Sequence, residues 1–450
     1  MATLPLTDAQ LSLLRSAGGG VLLRPARRVL RALTKRGHDA VVIGGAVRDL
    51  FLERSPGDLD IATTATPDQV LEIARSEGWL PIPVGKAFGV VRVRLSGAEF
   101  EVATYRSEEG YSDGRRPDLD GIRFQGSLEE DVRRRDFTMN GLALRLLDDP
   151  PLIIDLVGGV SDLRRRVIRT IGDPLERFDE DALRPLRAIR FSAVLGFAIE
   201  ERTSAAMRAK AAGLSRVSGE RVLQELFKAF GQGDACSATN LLLDTGFLPH
   251  LFPDVWNADT PEAAAPVRLR GLMSHLPRTP GLPLFLAALA AAGDEDLAGG
   301  EAAEARGAAC MDLLKASRED RIAVLEALRG AATLARADAL PLPRRADLYR
   351  SRHYNRAMAL ARAVAAVAGQ SIEALAVFDQ ERAALPSVRL DPPTLVTGKD
   401  LKDLGLPQGP RFKKLLDAVR DRQVEGEIET REEALAWLSE TTSFRGSQRR

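Results

Sequence analysis

The stretch Val42-Ile43-Gly44-Gly45-Ala46-Val47-Arg48-Asp49, followed by Asp58-Leu59-Asp60-Ile61, constrains this chain more than any other. Ala40 to Ile43 is a short apolar run that ends on two glycines, the pattern of a buried strand entering a tight turn. A helix is expected from Ala46 to Leu52. A helix that opens behind Gly44 and Gly45 directs its free N–H groups into the turn, where phosphate is the natural occupant. Arg48, in the first helical turn, can add a charge-assisted bond to the same group. Asp58 to Ile61 is apolar at 59 and 61 and acidic at 58 and 60, so a strand there places both carboxylates on one face. Two like charges on one face are costly without a cation between them. Mg²⁺ takes hard oxygen ligands, commonly one or two carboxylates plus substrate phosphates. The stretch therefore reads as a phosphate turn beside a metal-binding pair, Asp58 and Asp60. Each half alone is more readily a glycine turn or a pair of solvated acids; strand, turn, helix and strand together favour the functional reading.

With 450 residues the chain has room for two to four domains and an ample core. Its 63 basic and 63 acidic residues cancel, which argues against a protein that coats nucleic acid over its whole surface. A local basic groove is compatible with that balance, because only the contacting face must be positive. Cys236 and Cys310 are the only cysteines, too few for a disulfide framework or a cysteine zinc site. Four histidines, at 38, 250, 275 and 353, form no histidine-rich metal cluster. No signal-peptide core and no membrane-length apolar run is legible, so the expected location is the cytoplasm, with no membrane partner.

Along the chain, residues 1–24 are weakly patterned. Pro25 to Arg36 reads as a helix with Val29, Leu30 and Leu33 inward. Thr66-Pro67 opens another, with Val70, Leu71, Ile73 and Ala74 inward. Residues 80–84, 88–95 and 98–105 read as strands, and Glu101 is a candidate third carboxylate or simply an outward strand residue. Residues 107–126 form a long polar loop. Ser127 and Glu130 make a capping box, and Arg133-Arg134-Arg135 can neutralise a triphosphate. Ile153 to Val157 reads as a strand. From Asp173 onward strand signals nearly vanish, which marks a boundary near residue 170. The segment Glu180 to Phe191 reads as one helix, with Asp181, Arg184, Arg187 and Arg190 spaced by three in a diagonal row. An Asp beside an Arg offers acceptor and donors together, the combination that reads a base edge. Residues 218–230 and 235–246 read as helices, 258–266 and 291–309 as loop and insertion, and 318–338 and 344–368 as helices. Pro410 opens a last helix with Phe412, Leu415, Leu416 and Val419 on one face and several cations around it.

Gly44-Gly45-Ala46-Val47-Arg48-Asp49, Asp58-Leu59-Asp60, Arg134-Arg135-Asp136-Phe137-Thr138-Met139-Asn140, Asp155-Leu156-Val157-Gly158-Gly159 and Glu180-Asp181-Ala182-Leu183-Arg184 occur in that order. In that order they resemble the successive motifs of class II tRNA nucleotidyltransferases, the bacterial CCA-adding enzymes and poly(A) polymerase relatives within the DNA polymerase beta superfamily. The resemblance implies an α+β chain: an N-terminal nucleotidyltransferase head with a small mixed β-sheet and helices, then an all-helical neck, body and tail. The corresponding divisions are a catalytic head over 1–170, a neck with the nucleotide-selecting motif over 171–240, a body over 241–390 and a tRNA-binding tail over 391–450. It implies Mg²⁺ on Asp58 and Asp60 as the catalytic pair. It also implies nucleotide contacts through Gly44, Gly45, Arg48, Arg135, Asp181, Arg184, Arg187 and Arg190. Asp181 and Arg184 then select CTP and afterwards ATP without a template.

The expected activity is addition of CCA to tRNA from CTP and ATP by two-metal nucleotidyl transfer, with no stable protein partner implied. A-adding or poly(A)-adding enzymes, nucleotide transfer to a small molecule and an inactive RNA-binding homologue are the alternatives. In the family, CC-adding members have a shortened loop where this chain carries 107–126, so its length favours the full reaction. Two departures stand out: Pro185 directly after Arg184, and Gly141 where the family usually has alanine.

Overall fold

The computed structural model describes residues 2–83, 85–108, 122–123, 126–253, 255–256, 264–294, 297 and 300–443. The chain forms two compact units, Met1–Pro253 and Asp254–Arg450.

The strands all belong to the first unit: β1 (Ala2–Pro5), β2 (Ala40–Ile43), β3 (Ile61–Thr63), β4 (Leu80–Ile82), β5 (Val90–Leu95), β6 (Ala98–Thr104), β7 (Ser107–Glu108), β8 (Ile122–Arg123), β9 (Leu142–Arg145), β10 (Leu152–Asp155), β11 (Val167–Ile168) and β12 (Ala198–Ile199). Eight of them make a mixed sheet in the order β1-β10-β9-β2-β3-β6-β5-β4. β3 and β6 are its parallel pair, with Ile61 opposite Val102. β2 lies in the interior of the sheet, antiparallel to both β3 and β9, and all four of its residues are buried. Burial on both faces explains why Ala40-Val41-Val42-Ile43 is apolar throughout instead of alternating. Val41 and Ile43 pack with Ala62, Tyr105, Val132, Ala143 and Ile154 in one core cluster.

The helix after β2 runs Gly45–Phe51, one residue earlier than the apolar pattern suggests. β3 begins only at Ile61, so Asp58-Leu59-Asp60 leads into the strand without belonging to it. The alternation survives all the same: Leu59 is buried, Asp58 is exposed and Asp60 half-buried. The Asp60 carbonyl still accepts from Ile43 N at 3.0 Å, which ties this lead-in to the end of β2.

The helices Leu23–Thr34 and Pro67–Ser76 bury the residues their periodicity assigns inward. Thr66 and Gln69 form a capping box, as do Ser127 and Glu130 at the helix Leu128–Arg133. The weakly patterned N-terminus holds two elements that the apolar pattern did not show. β1 is a mostly exposed edge strand paired with β10, and the helix Asp8–Arg15 is opened by a Thr7–Gln10 capping box. The strand read over Ile153–Val157 ends at Asp155, because that carboxylate turns back to cap the next helix. Its Oδ1 accepts from the N–H groups of Val157, Gly158 and Gly159, and Oδ2 from Val160 N.

The single helix expected from Glu180 to Phe191 is instead two helices, Pro174–Glu180 and Arg184–Leu195. Asp181 ends the first with φ −144° and ψ 104°, outside the helical region. Pro185 then falls in the first turn of the second helix, where its missing N–H has no intrahelical partner to lose. Gly141 is explained by its neighbours: a Cβ there meets Val157 Cγ2 at 2.9 Å, with Ile171 and Val132 at 3.2 Å. The side chains that fill the space have taken the room an alanine methyl needs.

In the second unit every described element is helical. Leu282–Ala292 is buried along its whole length. Of the segments read as loop and insertion, 258–266 holds the first three residues of the helix Ala264–His275, its residues 258–263 lying outside the described ones, and 291–309 holds most of the helix Glu301–Leu313. Small residues there serve close packing: a Cβ on Gly307 meets Leu328 at 3.0 Å and Val324 at 3.2 Å on the helix Arg318–Leu334. The span 344–368 divides into Leu342–Tyr349 and Tyr354–Val367. Near the C-terminus, Pro410–Glu425 buries Leu415 and Val419 in a separate cluster with Val396, Leu401, Ile428, Ala434 and Leu438. No helix among the described residues is long and apolar enough to cross a membrane.

Candidate active site

One cleft of about 1330 Å³ in the first unit is lined by all ten residues singled out from the sequence: Gly44, Gly45, Arg48, Asp58, Asp60, Arg135, Asp181, Arg184, Arg187 and Arg190. They converge from the turn after β2, the lead-in to β3, the segment after Leu128–Arg133, the end of the helix Pro174–Glu180 and the helix Arg184–Leu195. Gly44 has φ +83°, and a Cβ there meets Arg135 Nη1 at 3.2 Å. Both the backbone and the approach of that guanidinium therefore call for glycine.

Asp60 lies beside Asp58 and, one residue before the Ile61–Val102 register, beside Glu101. Burial, reinforced by the charges of Asp58 and Glu101, pushes the Asp60 carboxyl up to about 6, against an opposing pull from Arg135. A carboxyl raised by its acidic neighbours lies in a place short of positive charge, which suits a divalent cation. The cleft lining contains no cysteine or histidine, so the donors are hard oxygens. Glu101 pairs with Arg92 at 3.2 Å across β5 and β6. Among the described residues no group of three His, Cys, Asp or Glu side chains is arranged to hold a metal. Asp58 and Asp60 both line the cleft and are the two carboxylates that could contribute oxygen ligands to an ion.

The cleft lining is also rich in arginine, and buried acids hold these side chains in place. Asp131, 1 % exposed, accepts from Arg134 Nε at 2.9 Å and from Arg135 Nη2 at 3.2 Å. Burial disfavours its charge, but the two guanidiniums outweigh that and keep its pKa low. Asp136 accepts from Phe137 N, Asn140 Nδ2 and Arg187 Nε, the last at 2.8 Å. Here too burial opposes ionisation, and Arg187 with these hydrogen bonds wins, holding the carboxyl at about 2. Glu225, on the helix Gly219–Gln232, is buried and pairs with both Arg187 and Arg190. Arg48 bonds Asp49 and, at 2.9 Å, Asn140 Oδ1. Among the described residues the buried Nε of Arg135 has no hydrogen-bond partner. Arg133, the first of the three consecutive arginines, turns to Glu129 and does not line the cleft.

Asp181 and Arg184 line the cleft from different elements, not from a shared helical row. Asp181 accepts from Arg221 Nη2 at 2.8 Å and from Leu183 N at 3.0 Å. Arg184 is buried and donates to Glu180, to Arg177 O at 2.9 Å and to Arg134 O at 2.9 Å. His38 and Asp39 stand side by side in the chain, yet neither lines the cleft. Asp39 accepts from Tyr105 Oη and pairs with Arg145.

The holding residues Asp131, Asp136, Asn140, Arg221 and Glu225 carried no assigned role in the sequence. Asp131 alone left a local signal, since it precedes Arg134 and Arg135 by three and four residues. The others meet their partners across 35 to 92 positions, apart from the local Asp136–Asn140 bond. The loop 107–126 lies largely outside the described residues, although its two ends pair as β7 and β8 with Ser107 opposite Arg123.

Residues 40–169 match the family model of the poly A polymerase head domain, and 196–259 match that of the probable RNA and SrmB-binding site of polymerase A. The chain is 36 % identical over 422 residues to a CCA-adding enzyme of Geobacillus stearothermophilus, covering 93 % of this chain and 96 % of the relative. It is 33 % identical over 430 residues to a CCA-adding enzyme of Geobacillus sp. (strain WCH70), covering 93 % and 97 %. The crystal structure of the Bacillus stearothermophilus CCA-adding enzyme in complex with CTP is similar with a TM-score of 0.71 and 32 % identity, covering 95 % of this chain and 99 % of the other.

Proposed function

This chain belongs to the CCA-adding enzyme family of tRNA nucleotidyltransferases, and from that premise we propose that it builds the complete CCA end of tRNA from CTP and ATP without a nucleic acid template. The observation that carries the reading is the cleft itself, which brings the Asp58–Asp60 pair together with arginines braced by buried acids.

The 3′ hydroxyl oxygen of the RNA forms a bond to the alpha-phosphorus of the triphosphate, and the bond to the pyrophosphate oxygen breaks. Asp58 and Asp60 would hold Mg²⁺, and in the two-ion scheme the metal would lower the pKa of the attacking hydroxyl and stabilise the leaving phosphates. Gly44 and Gly45 let the triphosphate approach the backbone, and Arg48, Arg135, Arg187 and Arg190 neutralise it. Asp181 and Arg184 read the base edge once they exchange their present protein partners for it. Catalysis is then positioning and electrostatics, with no covalent enzyme intermediate.

The proposed division is a head over 1–170, a neck over 171–240, a body over 241–390 and a tail over 391–450 that binds tRNA. A cytoplasmic location fits this substrate. An A-adding enzyme shares the motifs and is the competing assignment. The deciding experiment supplies tRNA ending at its discriminator base with CTP and ATP together and sequences the product. Products ending in CCA support the reading. No extension of that tRNA, with addition of A to tRNA ending in CC supplied in a parallel reaction, replaces it with the A-adding assignment.

A further inference from the structure

Phe191 carries no role in any of the sequence motifs, yet three cleft arginines gather on its ring. The guanidinium carbon of Arg190 lies 3.8 Å from the ring centroid, that of Arg48 5.4 Å and that of Arg187 5.7 Å. Phe137 meets the same ring edge-on, with centroids 5.9 Å apart and planes at 84°. The ring is 6 % exposed and lines the cleft.

These cations come from separate places. Arg187 sits four residues before Phe191 on the helix Arg184–Leu195, hence on the same face. Arg48 arrives from the helix Gly45–Phe51. Three like charges around one site repel each other. Asp49, Asp136 and Glu225 bind them from outside. From inside, only the electron-rich face of an aromatic ring attracts a cation while filling apolar space. An aliphatic side chain of similar bulk packs there without that attraction.

We propose that Phe191 is a positioning residue for nucleotide transfer: its ring holds Arg48, Arg187 and Arg190 as one fan that receives the triphosphate. This rests on the reading of the cleft as the nucleotide site. Phe191 touches no reacting atom, so its loss falls on binding rather than on the chemical step.

The test measures CTP affinity by calorimetry, and KM and kcat for CTP on tRNA, in wild type, Phe191→Leu and Phe191→Tyr. Phe191→Leu is expected to raise both Kd and KM about tenfold with kcat changed less than about threefold. Phe191→Tyr keeps the ring face and is expected to restore both constants to within about threefold of wild type. If the leucine variant fails to fold, Phe191→Met supplies flexible bulk without a ring and is expected to show the same split. Melting temperatures follow each variant. A lowered melting temperature with KM unchanged assigns Phe191 to packing and overturns the inference. So does a tyrosine variant as weak as the leucine one. Wild-type protein that binds no CTP sinks the nucleotide reading itself, whereas equal binding by wild type and Phe191→Leu sinks only the role of Phe191.

Discussion

Asp60 and Asp136 are both carboxylates of the cleft, and their surroundings drive them in opposite directions. Asp60 is raised to about 6 by burial and by neighbouring acids; Asp136 is held at about 2 by Arg187 and its hydrogen bonds. Asp60→Asn and Asp58→Asn are expected to cut incorporation of both nucleotides by at least about a thousandfold while tRNA binding persists. Turnover near wild type in Mg²⁺ would remove the metal role. For Asp136 the folded pKa lies below the unfolded one. Its contribution is therefore fully present above about pH 4 and is lost as pH falls through about 2. Asp136→Asn is expected to cost on the order of 2 kcal/mol at pH 7 and to flatten the stability profile between those values. Urea unfolding of wild type and variant across that range gives the answer, and parallel profiles would contradict it.

Among the elements, the helix Arg184–Leu195 decides most about the cleft, because it carries Arg184, Arg187, Arg190 and Phe191 together. Proline after Arg184 looks damaging in a sequence read as one continuous helix. Once the chain breaks at Asp181, the same proline sits in a first turn that its fixed φ favours. Pro185→Ala is accordingly expected to change stability by less than about 1 kcal/mol and to leave nucleotide selectivity intact. A gain of about 3 kcal/mol, the relief expected of an interior proline, would show that the helix begins earlier. The motif Asp155 to Gly159 is an element device of another kind. Its aspartate caps the helix Gly159–Arg165, and Gly159 admits Thr138 O, 2.2 Å from where a Cβ would stand. That motif serves the scaffold rather than the substrate.

At the scale of the whole molecule, the cleft is complete within Met1–Pro253, and the second unit has apolar cores of its own. A fragment spanning Met1–Pro253 is expected to melt cooperatively and to bind CTP and ATP within about threefold of the full chain. It should nonetheless extend tRNA poorly, since the proposed tRNA-binding tail is gone. Calorimetry and a primer-extension assay on the fragment check both halves. A fragment that is unfolded alone would show that the first unit depends on the second.

The sequence alone made legible the glycine turn after β2, the Ser127–Glu130 capping box and the inward faces of the first helices. Each of these is a local pattern: neighbours in the chain set the backbone, and the periodicity of apolar residues sets the buried face. It also determined the family, because the motifs occur in a fixed order. Only the tertiary structure decided how the arginines are held. Asp136 reaches Arg187 across 51 positions, Glu225 reaches Arg190 across 35, and Arg48 reaches Asn140 across 92. No spacing rule connects such pairs, since charges in an ion pair are matched by where the fold places them. The break at Asp181 had the same origin: its carboxylate is satisfied by Arg221, 40 residues onward on another helix, and a helical period read along the chain has no means of showing it.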